Sequence, residues 1–152
     1  MGHYDSGTSG TRVYFSEAET LPIHATASGI ATLAFGDGAL INHVLSGKLE
    51  RMTQNTPTDR ESLMSLINQA QLNGYVFADQ TFERDVCAVA VPFFERSISP
   101  NGAIACAFPK SRIDETDITA VAARLWQASR SISRELGGSI PSSIQSFSIK
   151  AA

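Results

Sequence analysis

Apolar positions change period along this chain, and each change marks an element. Between DETD and GG, Ile118, Val121, Leu125, Ala128, Ile132 and Leu136 recur every three or four residues. That spacing predicts a helix capped by Asp114 and ended by Gly137-Gly138. Leu63, Leu66, Ile67 and Ala70 repeat the spacing behind Thr58-Asp59-Arg60-Glu61. A T-x-x-E quartet satisfies free amides at a helix start, and Gly74 supplies a left-handed stop. In DVCAVAVPFFER the period falls to two, with Val86, Ala88 and Ala90 alternating with Cys87, Val89, Val91 and Phe93. Both sets are apolar, which predicts a strand covered on both faces. SISPNG carries turn chemistry and GAIACAFP returns as a second strand, giving an antiparallel hairpin. In that strand Ile104, Cys106 and Phe108 share one face, and Ala103, Ala105 and Ala107 share the other. Such short side chains leave room for something to lie against the sheet.

Upstream, RVYF, Arg12 to Phe15, is β-branched and aromatic and predicts a strand. In LPIHATASGIATLAF, Pro22 keeps Leu21 out of the helical region. Thr26 then caps a helix from Ala27 that turns Ile30, Leu33 and Ala34 inward and stops near Gly36-Asp37-Gly38. ALINHVLS follows as a short helix closed by Gly47. Residues 1–10 read as a disordered leader of the kind added for expression, and 139–152 as a flexible tail, leaving one domain over 11–138. Helices gathered against an antiparallel pair make the fold class α+β.

Composition narrows the function. The 152 residues suffice for a single core, and a net charge of −3 with scattered cations gives no basic stripe for a phosphate backbone. No apolar run nears the roughly 20 residues of a membrane span, so a soluble, cytoplasmic protein is expected. Cys87 and Cys106 lie in apolar runs without CxxC spacing, and His3, His24 and His43 lie apart, so no metal or other cofactor is expected. The chain has no G-x-S-x-G, phosphate-loop or HExxH pattern, and catalytic residues are expected to be none.

Taken together, LPIHATASGIATLAF, LERMTQNTPTDRESLMSLINQAQLNGYVF, DVCAVAVPFFE and GAIACAFPKSRI resemble the effector-binding domain of IclR-type bacterial transcription regulators from about Thr11 to Gly138. The resemblance implies a GAF-like antiparallel sheet with helices packed on it, enclosing a pocket for a small organic acid or aromatic metabolite. It also implies homodimers or homotetramers that signal to a separate winged helix-turn-helix domain. This chain then makes no direct DNA contact. The DNA-binding domain and the first helix and strands before RVYF have no counterpart, so the chain resembles a truncated form with an edge for a partner chain or the tail to cover.

Carried across by resemblance, the ligand-binding positions are Val13, Leu21, Ala27, Ser28, Cys87, Ala105 and Ala107. Relatives that take small hydrophilic acids place hydroxyls where Ala105 and Ala107 stand and an acid where Ala78 stands. Their replacement by methyl groups implies a less polar pocket suited to aromatic or alkyl carboxylates.

Two other readings stay open at this point. Cys87 and Cys106 on adjacent strands suit a GAF-like cysteine redox enzyme if either thiol is acidified. Alternatively, Phe77, Phe82, Phe93 or Phe108 fill the hollow and leave a ligand-free oligomerisation domain. The small residues before Ile30 likewise either admit a ligand to free helix amides or only allow helix and sheet to pack closely, with His24 structural and Thr26 a cap.

Overall fold

A computed structural model describes residues 20–96, 99–112, 115–142 and 144. The predicted RVYF strand, Val13 and the proposed cap Asp114 lie outside them. Helix α1, Ala27–Phe35, starts as expected, with the Thr26 side chain accepting from the Gly29 amide. Helix α2 spans Gly38–Ser46 and buries no residue fully. Helix α3, Arg60–Asn73, ends on Gly74 at φ 79, the left-handed stop that its sequence required. Its start differs from expectation by one residue. Asp59, not Thr58, is the cap, and its partner in the reciprocal box is Ser62, not Glu61. An aspartate carboxylate serves the same amide as a threonine hydroxyl, so either residue could close the turn. Arg51 Nη2 donates to Thr58 Oγ1, which takes Thr58 into the preceding loop.

Strands β1, Val76–Asp79, β2, Val86–Phe93, and β3, Gly102–Pro109, form an antiparallel sheet in the order β1-β2-β3. The hairpin expected from the sequence is β2 and β3. Strand β1 was not expected, because YVFAD offers too few alternations to define a period. Helix α4, Glu115–Glu135, closes the order.

The ladder fixes which side chains share a face. Ala88 stands opposite both Ala78 and Ala107, and Ala90 stands opposite Val76 and Ala105. This face meets α1 and α3, where Ile30, Leu33, Leu63, Ile67, Val76, Ala78 and Ala90 form one core cluster. The other face meets α4, where Val91 packs with Phe94, Trp126, Ile140 and Ile144. Trp126 is a core side chain: it is 1% exposed, donates to the Gly74 carbonyl at 2.9 Å, and meets Phe35 edge-on. Ser129 donates to the Pro92 carbonyl, and Ser133 accepts the Phe94 amide, tying α4 to the end of β2. Ile140 and Ile144 are both buried against α4, so the stretch read as a tail starts as part of the core.

Candidate functional site

Helix α1 lies along the alanine face with a definite polarity. A Cβ on Gly36 would stand 3.6 Å from Pro100 Cδ, so the C-terminus of α1 sits by the hairpin turn. Its N-terminus sits at the opposite end of the sheet, where Thr81, just beyond β1, donates to the Ala25 carbonyl at 2.6 Å. Ala88 and Ala107 belong to that same end.

Cover over this face is uneven. Ala90 is fully buried, but Ala105 directly opposite it is exposed, and Ala88 and Ala107 are half-buried. Helix α1 packs over both β2 and β3 and still leaves Ala105 exposed. Phe77, Phe93 and Phe108 pair with Val89, Gly102 and Cys87 respectively, which puts all three on the α4 face. Those three therefore do not cover the alanines, and Phe82 is half-buried beside Thr81.

Of the expected site residues, Leu21, Ala27, Ser28 and Ala107 lie toward this end. Leu21 is half-buried on the approach to α1, Ala27 is buried, and Ser28 is half-buried in the first turn. The Gly29 amide is taken by Thr26 Oγ1 and the Ile30 amide by the Thr26 carbonyl. Among the described residues the amides of Ala27 and Ser28 and the Ser28 hydroxyl have no hydrogen-bond partner.

Cys87 requires a correction. Period two turns it away from Ala88 and Ala107, onto the α4 face, where it stands opposite Asp79 and Phe108. Ala88 is the β2 residue that stands beside Ala107 on the alanine face. The same parity removes Asp79 as a substitute for the acid missing at Ala78, since Ala78 faces α1 and α3 and Asp79 faces the other way.

Asp79 instead organises a polar cluster. Lys110 Nζ reaches both of its carboxylate oxygens at 2.8 Å, Gln80 Nε2 donates to Oδ1 at 3.0 Å, and the Cys87 thiol donates to Oδ1 at 3.4 Å. Burial pushes the Asp79 carboxyl up, but hydrogen bonds from Lys110, Gln80 and Cys87 together hold it below the ordinary carboxylate range. Burial and the adjacent carboxylate push the Cys87 thiol up to about 11, and burial also raises Cys106. Neither thiol has the acidity that a redox or nucleophilic cysteine needs.

The small residues of the opening stretch divide between the two roles. Gly29 serves packing, because a Cβ there would lie 2.2 Å from the Ile23 carbonyl oxygen. His24 is buried and donates from Nε2 to the Glu50 carbonyl at 2.9 Å. Ala27 is buried in the core cluster with Ile30, and Ser28 is half-buried.

Comparison with known proteins identifies the family. The family model described as "Bacterial transcriptional regulator IclR C-terminal" matches residues 5–134. The chain belongs to the IclR family. The HTH-type transcriptional regulator XynR of Escherichia coli K12 is 33% identical over 118 residues, covering 77% of this chain and 47% of XynR. The chain thus spans about half the length of this curated IclR-family relative. A crystal structure from Silicibacter sp. TM1040, described as a candidate IclR transcriptional regulator, superposes with a TM-score of 0.81 at 32% identity, over 88% of this chain and 52% of that one. An IclR homologue from Microbacterium hydrocarbonoxydans, solved in complex with 4-hydroxybenzoate, gives a TM-score of 0.69 at 28% identity, over 83% and 50% of the two chains.

Three buried threonines were not legible in the sequence. Thr53 donates to the Gln80 carbonyl at 2.6 Å, Thr56 to the Thr81 carbonyl at 2.7 Å, and Thr81 to Ala25. Their spacing in RMTQNTPTD and DQTFERD follows neither a helix nor a strand period, so only the tertiary fold shows that their hydroxyls point inward.

Proposed function

We propose that this IclR-family domain senses a small aromatic or alkyl carboxylate, held between the alanine face and the first turn of α1. The carboxylate meets the unused amides of Ala27 and Ser28 and the Ser28 hydroxyl, where the helix dipole favours negative charge. The apolar body lies over Ala88, Ala105 and Ala107, with Leu21 as a further wall. One observation carries this reading: an alanine surface that Phe77, Phe93 and Phe108 turn away from, at the sheet end that also holds unsatisfied amides. The 4-hydroxybenzoate bound by the Microbacterium homologue supports the choice of ligand class.

Binding at this place bears on β3, whose outer side carries no strand among the described residues. A homodimer or homotetramer that covers this side couples occupancy to assembly, and through it to a winged helix-turn-helix domain elsewhere in a cytoplasmic regulator. The role is binding and not catalysis. Calorimetric titration with benzoate, 4-hydroxybenzoate and pyruvate tests it. Benzoate and 4-hydroxybenzoate are expected to bind more tightly than pyruvate, whose keto oxygen finds no donor among the alanines. No heat with any of the three from a folded sample overturns the proposal.

A further inference from the structure

Three consecutive carbonyls, those of Asp79, Gln80 and Thr81, each accept a side-chain hydrogen bond from the same loop. Asn55 Nδ2 donates to the first at 3.0 Å, Thr53 Oγ1 to the second at 2.6 Å, and Thr56 Oγ1 to the third at 2.7 Å. The row can be read this way because Gln80 adopts φ 58, a left-handed step that turns the chain out of the β1 direction. Thr56 also accepts the amides of Met52 and Thr53, so its own hydroxyl is fixed. Thr53, Thr56 and Thr81 are 6%, 4% and 4% exposed, which shields all three hydroxyls from competing water.

The last link reaches the proposed site. Thr81 Oγ1 donates to the carbonyl of Ala25, which directly precedes the cap Thr26 and the amides of Ala27 and Ser28. The same loop holds the approach to α1 a second time, where the Glu50 carbonyl accepts from His24.

We propose that Thr81, backed by Thr56, is the positioning residue that sets the first turn of α1 at a fixed height above the alanine face. The loop 50–56 is then the support of the site although none of its side chains lines it. The bonds within this first turn join Thr26 to Pro22, Gly29 and Ile30 and do not tie it to the sheet, whereas the threonine chain does. This inference rests on the reading of Ala27 and Ser28 as the carboxylate end of the site.

Amide hydrogen exchange of the whole chain, read by mass spectrometry without ligand, tests it in Thr81→Val, Thr81→Ser and wild type. Thr81→Val is expected to raise exchange across residues 24–30 by about tenfold while α3 changes by less than about twofold. Thr81→Ser, which keeps the hydroxyl, is expected to restore most of that protection. A merely structural role would loosen α1 and α3 together, and that outcome overturns the proposal, as does unchanged exchange in Thr81→Val. If Thr81→Val does not fold, Asn55→Ala decides, since it removes an exposed side chain from the same carbonyl row. An increase of about threefold over residues 24–30 and 80–82 supports the proposal, and wild-type exchange there overturns it. Because exchange is read without ligand, absence of carboxylate binding in the titration sinks only the function reading and leaves this measurement standing by itself.

Discussion

Cys87 stands directly opposite Asp79 in the β1–β2 ladder and gives its thiol hydrogen to the Asp79 carboxylate at 3.4 Å. A carboxylate acceptor favours the protonated thiol, and burial acts in the same direction. Thiol reagent at pH 8 should label Cys87 in the folded protein on the order of a hundredfold more slowly than in denaturant. The raised folded pKa also sets an alkaline limit. Its stabilisation is fully present below the unfolded thiol value of about 8.5 and is lost as pH climbs toward about 11. Fast labelling of Cys87 in the native state would revive the redox reading.

The Asp79 carboxylate has the opposite sign. Its folded pKa is lowered, so the stabilisation it brings is present above the unfolded value of about 3.9 and disappears as pH falls through the folded value. Side chains of Asp79 and Lys110 are 42% and 48% exposed, which limits the effect by solvent screening. Denaturation followed from pH 7 to pH 2 should therefore show a smaller acid loss in Asp79→Asn than in wild type. An identical acid limb would show that the bridge holds β1 to the end of β3 with no measurable strength.

Gly29 is required by the fold and not by a ligand. A methyl group there would stand 2.2 Å from the Ile23 carbonyl oxygen and 2.6 Å from Ile23 Cα, both backbone atoms that cannot swing aside. Gly29→Ala should cost about 2–3 kcal/mol in a denaturant melt, despite the better helix propensity of alanine. A neutral or stabilising result would mean that the turn over residues 22–26 is not packed as described.

Ala107 tests the proposed site with little risk to the core, because it is half-buried near the open side of the sheet. Ala107→Phe should abolish carboxylate binding, a loss of at least about tenfold in affinity, while changing the melting temperature little. Cys106→Ser, one position along on the other face, should leave affinity unaltered. Equal binding by Ala107→Phe and wild type would move the ligand away from the alanine face.

Much of the local structure was legible in the sequence. Thr26, Gly47 and Gly74 marked helix limits because capping chemistry acts within a few residues of chain. The hairpin was legible from alternation and turn residues. Strand β1 was not, since four residues are too few to show a period. For the site, the alanine face and the uncommitted first turn of α1 were both visible as patterns, and their likeness to the IclR family joined them. Cys87, carried across as a ligand position, stands on the face opposite the alanines, which resemblance along the chain did not show because strand neighbours point to opposite sides.

What the sequence determined by itself was therefore whatever neighbours in the chain can settle: where helices start and stop, which strand positions alternate, and that no charged stripe or catalytic motif is present. The tertiary structure decided the rest. Only register put Ala88 with Ala107 and set Cys87 beside Asp79, and only packing across distant segments put Thr81 beneath Ala25. Capping and alternation are short-range effects written in consecutive residues, whereas a buried hydroxyl takes its partner from whichever segment the fold brings to it.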